Sequence, residues 1–314
     1  KGTSAYFSHD HGVRFDLETI DAHVHIMPGY RTAGLVRWIK RAFPDHPSRQ
    51  DLTCEEMVGE LQAAGCARAF NFVFPLDDEE TEPLNRFSDE IARRHPMLVP
   101  FGSMHAATPD KGGVAETCIN EMGLAGIKLH PYAQRFEVFC DEFDPLFARL
   151  NALRAPLFVH TGFDTFYGRK LDLERLERTL EEYPDMPLVL VHCLFPRFEL
   201  AHRLVESHPG LFLDLTNVPG TLRLYDSFPG DASTFDPDFH DGARLVESLH
   251  ALVEEHSDRI MYGTDYPVGM GPPSRIFEDL DRLGFSGKAV GDLRYATAAR
   301  FLSVHCRTGP RPGR

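Results

Sequence analysis

The sequence has too little basic charge for a protein that binds polyanions. Its 33 lysine and arginine residues are outnumbered by 47 aspartate and glutamate residues, so the formal net charge is −14. The summed field of such a chain repels nucleic acid, and we expect no nucleic-acid partner. The sequence also lacks any apolar run of about 18 residues, so we expect no segment that spans a membrane.

Cysteine is scarce and is not arranged for structural use. The chain has six cysteines, and none of them form a CxxC pair. This spacing argues against a disulfide framework and against a cysteine-based zinc finger. The first twelve residues also lack the apolar core of a secretory signal peptide. We therefore expect a reducing compartment, the cytoplasm.

Short apolar runs that alternate with amphipathic stretches are the main pattern of the chain. Eight runs are typical of buried strands: residues 19–26, 67–75, 97–104, 124–130, 156–162, 187–193, 211–217 and 259–265. Helical patterns lie between them, at residues 144–154, 171–183, 197–207 and 241–256, and in a helix that a Thr53–Glu56 capping box opens and Gly65 ends.

This alternation predicts an α/β fold, a single-domain (β/α)8 TIM barrel over residues 1–306, followed by a disordered tail at 307–314. The alternative is an open doubly wound sheet. That fold usually has a glycine-rich phosphate turn after its first strand, and residues 25–28 read His-Ile-Met-Pro instead.

Two loops are longer than a barrel needs, and they follow strands 1 and 7. The first covers residues 28–50 and contains a helix-like piece at 33–42; the second covers residues 218–238. Both leave the carboxyl end of a strand, which is the active face of such a barrel. We interpret them as lids or pocket walls, with a plain surface excursion as the alternative.

Polar side chains recur where the predicted strands end. In a strand, residues two apart point to the same side, so His23 and His25 both face the barrel interior. The other such residues are Lys128, His130, His160, His192, Asp214, Asn217 and Asp265. A lone buried histidine is more often a hydrogen-bonded core residue. Each of these polar groups that is buried without a partner would lower the stability of the fold by about 1–3 kcal/mol. A divalent metal ion bound between them offsets that loss. The combination predicts a metal site.

These same motifs resemble the amidohydrolase superfamily, in the amidohydrolase-related branch that includes the aminocarboxymuconate-semialdehyde decarboxylases. DAHVH resembles the HxH motif of the first strand, and GIKLHP, FVHTG, LVHC and GTDYP resemble the fourth, fifth, sixth and eighth strands. The similarity covers residues 19–301. It implies that His23, His25, His160 and Asp265 are metal ligands.

The resemblance leaves two residues with alternative roles. His192 corresponds to a ligand in two-metal relatives and to a free acid/base or electrophile in one-metal relatives. Lys128 corresponds either to a carboxylated lysine that bridges two ions or to an ammonium that holds a substrate carboxylate or carbonyl. Both are therefore candidate second-metal ligands, although we favour one ion over two. Zinc is the preferred metal, and manganese and iron suit the same donors.

The function that follows is metal-dependent hydrolysis of an amide, lactone or ester bond by a metal-bound water. Asp265 would accept and deliver the proton, and His192 would polarise the scissile carbonyl. The alternative is non-oxidative decarboxylation of an aromatic or muconate-type acid, which needs the same cation and acid/base pair. A third possibility is a non-catalytic barrel with a structural metal, against which the position of the cluster at the active face argues.

The residues after the strands predict a small acidic or aromatic substrate. Tyr132 and Arg135 follow the fourth strand and Arg197 follows the sixth, and with Lys128 they are the predicted substrate-binding residues. The alternative is that the arginines face solvent. The resemblance also implies a homodimer.

Overall fold

Parallel β-strands form the centre of the protein, which we describe from a computed structural model over residues 18–227 and 242–306. Within those residues the strands are β1 (Thr19–Val24), β2 (Cys66–Asn71), β3 (Leu98–Pro100), β4 (Ile127–Leu129), β5 (Leu157–His160), β6 (Leu188–Val191), β7 (Leu211–Asp214) and β8 (Ile260–Met261). Each lies inside one of the eight predicted runs or begins one residue before it.

The strands close into a barrel. Ladders join β1 to β3 in one sheet and β4 to β8 in another, always in parallel register. Two parallel bridges, Val24 with Tyr266 and Gly102 with Ile127, close the seams between these sheets. The Ala22 amide donates to the Tyr262 carbonyl at 3.0 Å across the first seam. The predicted (β/α)8 barrel is therefore confirmed, and the open sheet is excluded.

Helices surround the barrel and return the chain to the start of each strand. The helices that the structure describes are α1 (Gly29–Ala42), α2 (Cys54–Ala63), α3 (Thr81–Arg94), α4 (Lys111–Glu116), α5 (Pro131–Gln134), α6 (Asp144–Leu153), α7 (Asp164–Tyr167), α8 (Leu173–Glu182), α9 (Phe198–Ser207), α10 (Val218–Ser227), α11 (Gly242–His256), α12 (Pro273–Asp281), α13 (Gly287–Gly291) and α14 (Thr297–His305). In these residues, no helix has the combination of length and apolarity that a membrane crossing requires.

The predicted capping box at the start of α2 is present. The Thr53 hydroxyl accepts from the Glu56 amide at 3.1 Å, and the Glu56 carboxylate accepts from the Thr53 amide at 2.9 Å. Gly65 follows the helix with a φ of +85°, which glycine adopts without strain. The four other predicted helices agree with α6, α8, α9 and α11 within two residues at each end.

Helix α3 was not predicted, because its buried face is partly polar. Asn85 and Ser88 face the core beside Leu84 and Ile91. Asn85 donates to the Ser103 carbonyl at 2.9 Å, and Ser88 donates to the Phe101 carbonyl at 2.9 Å. These bonds tie α3 to the residues just after β3. The polar side chains that form them interrupt the apolar periodicity by which a helix is recognised in a sequence.

A cluster of phenylalanines fills the barrel below its carboxyl end. The rings of Phe72, Phe101 and Phe158 lie 4.8–5.0 Å apart between centroids, and Phe70 packs against two of them. All four are fully buried. This apolar floor leaves the space above it, at the carboxyl ends of the strands, for polar residues. The predicted tail at 307–314 and residues 228–238 of the second long loop lie outside the described residues.

Candidate metal centre and active site

Three of the predicted metal ligands converge at the carboxyl end of the barrel. His23 Nε2 lies 3.2 Å from His25 Nε2, and Asp265 Oδ1 lies 3.2 Å from His25 Nε2 and 3.6 Å from His23 Nε2. All three residues are buried. A register irregularity in β1 between Asp21 and Val24 accompanies this arrangement, as bulges often do where a strand aims side chains into a site.

The hydrogen bonds of the two histidines determine which nitrogen faces the centre. His25 Nδ1 lies 2.9 Å from the Phe72 carbonyl, which can only accept, so this nitrogen carries the proton. His23 Nδ1 lies 2.8 Å from Asp214 Oδ2 and donates to that carboxylate. Burial, together with the nearby Lys128, holds the pKa of His23 well below its usual value, so this imidazole is neutral. Both Nε2 atoms are then bare acceptors.

Three acceptors therefore face one another without a donor between them. Two neutral imidazole nitrogens and a carboxylate oxygen at these separations repel each other unless a cation lies between them. Their ligand atoms all lie within 4.8 Å of one another. This is the donor set that zinc, manganese and iron accept, so the residues present fit a divalent metal ion.

A buried aspartate at the start of the histidine motif sets the position of Asp265. Asp21 Oδ1 accepts from the Thr264 amide at 2.9 Å, and Asp21 Oδ2 accepts from the Thr264 hydroxyl at 2.6 Å. The Asp265 amide donates to the His23 carbonyl at 2.8 Å. Asn217, after β7, donates from Nδ2 to Asp265 Oδ2 at 2.5 Å. These bonds hold the first, seventh and eighth strand ends together.

The sequence reasoning gave no role to Asp21, Asp214 or Asn217. Asp214 and Asn217 were noted only as polar residues at the ends of strands. That same property had drawn attention to the proposed ligands. Asp21 immediately precedes the HxH motif and is completely buried, and burial raises its pKa to about 7. A carboxylate that is so deeply buried and accepts from backbone amides points to a positioning role.

His160 lies beside this group without joining it. Its Nδ1 is 3.2 Å from His192 Nε2, and its ring stacks on His130 with centroids 3.8 Å apart. Its Nε2 is buried and has no hydrogen-bond partner within residues 18–227 and 242–306. The structure thus brings together three of the four proposed ligands, and the role of His160 as the fourth stays a prediction.

His192, at the end of β6, is held in a single orientation. Its Nδ1 donates to the Thr216 carbonyl at 2.7 Å, so its Nε2 is a bare acceptor that points toward His160. Burial lowers the pKa of His192 to about 4, which keeps the ring neutral at pH 7. His192, Cys193 and Leu194 all have a φ between 50° and 64°. Such consecutive left-handed residues are strained, and strain of this kind clusters at functional sites.

Lys128 lies under the centre in an apolar environment. It is fully buried, and its Nζ lies 5.2 Å from the centroid of the Phe72 ring. Among the described residues the ammonium has no hydrogen-bond partner. Burial lowers the pKa of Lys128, and the charges of Asp214 and Asp265 oppose that shift. Of the two residues predicted as second-metal ligands, His192 lies outside the group of three, and the role of Lys128 stays a prediction.

An apolar cavity opens above the centre. His25, His192 and Asp265 form part of its floor. Its walls are mainly aromatic and aliphatic, with Leu35, Trp38, Phe43, Phe74, Phe163 and Phe166 among them. No lysine or arginine of the described chain lines it. The cavity can therefore accept a flat apolar body, and its polar groups lie at one end.

Both long loops contribute to the cavity wall, as the sequence predicted. Helix α1 supplies Trp38, whose ring stacks on Tyr167 after β5 with centroids 5.8 Å apart. Helix α10, in the loop after β7, supplies Thr221. His46 also joins the first long loop to the segment after β8, because its Nε2 donates to the Gly269 carbonyl at 2.8 Å.

The predicted substrate-binding residues do not line this cavity. Tyr132 and Arg197 both bind Asp164, the hydroxyl to Oδ1 at 2.6 Å and the guanidinium to Oδ2 at 2.6 Å. Arg135 lies with Tyr132 along an adjoining groove next to α1, which shares Trp38, Phe74 and Phe166 with the cavity wall. Lys128 is beneath the floor. The sequence could not reveal that Asp164, after β5, would form an ion pair with Arg197, after β6.

Comparisons with known proteins agree with this arrangement. The sequence model of the amidohydrolase family matches residues 20–303. A TIM-barrel protein of uncharacterised function from Bordetella bronchiseptica is 21% identical, with a TM-score of 0.67 over 91% of this chain and 99% of that one.

Two further solved structures have similar folds. An amidohydrolase from Burkholderia multivorans with bound zinc is 18% identical, with a TM-score of 0.64 over 90% of this chain and 98% of that one. The other is a 5-carboxyvanillate decarboxylase from Novosphingobium aromaticivorans, complexed with manganese and 4-hydroxy-3-methoxy-5-nitrobenzoic acid. It is 14% identical, with a TM-score of 0.63 over 92% of this chain and 96% of that one. At these identities the structures support the fold alone. Because the family model covers almost the whole barrel, the chain belongs to the amidohydrolase family.

Proposed function

We propose that the protein is a metal-dependent hydrolase that cleaves an amide, lactone or ester bond of a small, flat and largely apolar molecule. The observation that carries this proposal is the convergence of His23 Nε2, His25 Nε2 and Asp265 Oδ1 at the floor of an apolar cavity. Zinc is the metal that we favour, because it binds neutral imidazole and carboxylate together. The solved amidohydrolase with bound zinc is consistent with that choice.

A divalent cation bound here would polarise a substrate carbonyl and lower the pKa of water. We propose a single ion, because His192 lies outside the group of three acceptors. Asp265 lines the cavity and has one oxygen held by Asn217, so its other oxygen is aimed at the centre. In this position it can take a proton from the attacking water and pass it to the leaving group.

His192 is suited to a second role at the same floor. Its protonated Nδ1 is fixed on the Thr216 carbonyl, and its neutral ring lines the cavity with Nε2 3.2 Å from His160 Nδ1. When His160 turns toward a metal ion, this nitrogen becomes available to accept a hydrogen bond from water and orient it. His160, whose Nδ1 faces His192, is placed to keep that ring in one orientation or, if it turns, to complete the metal site.

The residues of the cavity wall restrict the class of substrate that we expect. The described wall contains no lysine or arginine, so a carboxylate remote from the floor would have to reach the arginines of the adjoining groove, Arg135 among them, to form an ion pair. Aromatic side chains such as Trp38 and Phe166 favour a planar ring in the cavity. We therefore expect an aromatic or unsaturated substrate whose polar, reacting end points toward His25 and Asp265.

Decarboxylation is the second candidate, and the same wall favours it. A carboxylate that enters this cavity leaves water for apolar surroundings, which destabilises the charged ground state relative to a transition state that loses carbon dioxide. Asp265, in its protonated form, would then deliver a proton to the ring carbon. The solved 5-carboxyvanillate decarboxylase has the same fold and binds a substituted benzoic acid.

One assay distinguishes the two reactions. Protein loaded separately with zinc, manganese and iron is incubated with aryl lactones, esters and amides and with hydroxybenzoates, and acid release and carbon dioxide release are measured. Hydrolysis without carbon dioxide supports the proposal; carbon dioxide from a benzoate supports the second candidate. Asp265→Asn should abolish either activity. His95→Gln, at the far end of the barrel just before β3, is the matched control. If Asp265→Asn retains near-normal turnover, the proposed role is wrong.

A further inference from the structure

A second group of metal-ligating side chains lies between two neighbouring helices, far from the cavity. His202 and Glu206 are four residues apart on α9, so they share one face of that helix. Glu255 and His256 end α11, which packs beside α9. One ligand atom of each lies within 4.8 Å of the corresponding atoms of the others.

This group lies at the opposite end of the barrel from the candidate active site. Helix α9 ends at Ser207 and leads into β7 at Leu211, and α11 ends at His256 and leads into β8 at Ile260. The cluster is therefore next to the amino ends of these strands, whereas His23 and Asp265 lie at the carboxyl ends. In barrels of this kind that end contributes to stability rather than to catalysis.

The contacts inside the cluster are those of a preformed ligand set. His202 Nε2 lies 3.2 Å from Glu255 Oε2, close to the separation of about 3.3 Å that tetrahedral zinc imposes on its donors. The rings of His202 and His256 meet edge to face with centroids 4.9 Å apart. His256 Nε2 is buried and lacks a hydrogen-bond partner in the part of the chain that the structure describes.

The carboxylates of the cluster lack a lysine or arginine partner among the described residues. Elsewhere between the same helices, Glu199 pairs with Arg244 at 2.9 Å. In contrast, Glu255 pairs only with His202 of the cluster itself. Burial lowers the pKa of His256, and Arg259 is close enough to lower it further, but the guanidinium of Arg259 donates to the His208 carbonyl at 3.2 Å. Both helices also end here, and the negative ends of their dipoles favour a bound cation.

We propose that His202, Glu206, Glu255 and His256 form a second metal site, which binds one zinc ion and joins α9 to α11 at the base of the barrel. Two imidazoles and two carboxylates are donors that zinc accepts, and four of them close a tetrahedral site with no position for a substrate. The site is independent of the proposed enzymatic function, because none of its residues lies near the cavity. Its expected role is to stabilise the fold when zinc is present.

Zinc binding to the whole protein tests this proposal. Protein whose cavity site has first been filled with zinc is dialysed against buffers of fixed free zinc concentration, and the bound metal is measured per chain. We expect one further equivalent beyond the cavity ion. The His202→Gln/His256→Gln variant should lose that equivalent, and so should Glu206→Gln/Glu255→Gln, which changes only exposed side chains and is expected to fold normally.

Two control variants make the result specific. Glu247→Gln removes an exposed carboxylate of α11 that is outside the cluster, and this variant should bind both ions. His25→Gln should lose the cavity ion and keep the second one. In thermal unfolding, added zinc should raise the midpoint of the wild type with a filled cavity site but not that of the two double variants. The proposal is overturned if the wild type takes up no further zinc, if the extra equivalent survives in both double variants, or if Glu247→Gln loses it.

Discussion

His23 Nδ1 donates to Asp214 Oδ2 across 2.8 Å, and this bond aims His23 Nε2 at His25 and Asp265. Asp214 itself is fully buried at the end of β7 and also accepts from the amide and hydroxyl of Thr216. A carboxylate behind a ligating imidazole fixes its tautomer and raises its basicity. The relationship makes Asp214 a positioning residue for the centre.

Replacing that carboxylate should weaken metal binding without removing a ligand. Asp214→Asn should lower the metal affinity of the cavity site by about 10–100-fold, because the amide no longer fixes His23 as an acceptor at Nε2. Competition with a chelator of known affinity measures the change. Asp258→Asn, exposed just before β8, is the control. An unchanged affinity in Asp214→Asn would show that the bond does not orient the ligand.

The bonds between Asp21 and Thr264 should contribute strongly to stability. Asp21→Ala would leave the buried Thr264 amide and hydroxyl and the His23 amide without their acceptor. Each such group costs about 1–3 kcal/mol, so the free energy of unfolding should fall by at least about 3 kcal/mol. Urea unfolding of the metal-free protein measures it. Thr53→Ala, which breaks an exposed helix cap, should cost only about 1 kcal/mol. A smaller loss in Asp21→Ala than in Thr53→Ala contradicts the prediction.

The aromatic wall should determine substrate affinity more than turnover. Trp38→Ala removes the ring that stacks on Tyr167 and lines the cavity, and we expect KM to rise about tenfold, equivalent to about 1.4 kcal/mol of binding, with a smaller change in kcat. Tyr295→Ala is a matched control, because Tyr295 is 38% exposed and Trp38 is 37% exposed. Equal effects of the two substitutions on KM would argue against the cavity as the substrate site.

Thiol reactivity tests the packing of the barrel independently of the metal. All six cysteines are free, but only Cys54 and Cys140 are partly exposed. Burial raises the pKa of Cys118 and Cys306 to about 12 and further suppresses their thiolates, which are the reactive forms. Native protein treated with iodoacetamide should therefore be modified mainly at Cys140, then at Cys54, and at the other four only after unfolding. Rapid labelling of Cys118 in the native protein would be inconsistent with this fold.

The strand pattern and the clustering of His23, His25 and Asp265 were readable from the sequence, because strand periodicity and the position of polar residues at strand ends are local properties. Residues two apart on a strand share a side, which placed His23 with His25, and GTDYP marked Asp265 at the end of the eighth strand. The partners of these residues depend on closure of the barrel. Asp21 meets Thr264 only because β1 and β8 are neighbours across the seam, although they are far apart in the chain.

The substrate-binding residues could not be read in the same way. Arg197 follows β6 and was expected at the cavity, yet Asp164 after β5 binds its guanidinium at 2.6 Å and also accepts from Tyr132. Whether an arginine in one loop binds the substrate or pairs with a carboxylate of the neighbouring loop depends on the geometry of both loops. The periodicity of the sequence carries no information about that geometry.

The position of the ion is the measurement that tests the central claim most directly. A crystal of protein loaded with one equivalent of zinc is examined by anomalous scattering at the zinc edge. We expect a peak within about 2.0–2.2 Å of His23 Nε2, His25 Nε2 and an oxygen of Asp265. An ion found away from these three atoms, or no ion at the carboxyl end of the barrel, would contradict the account.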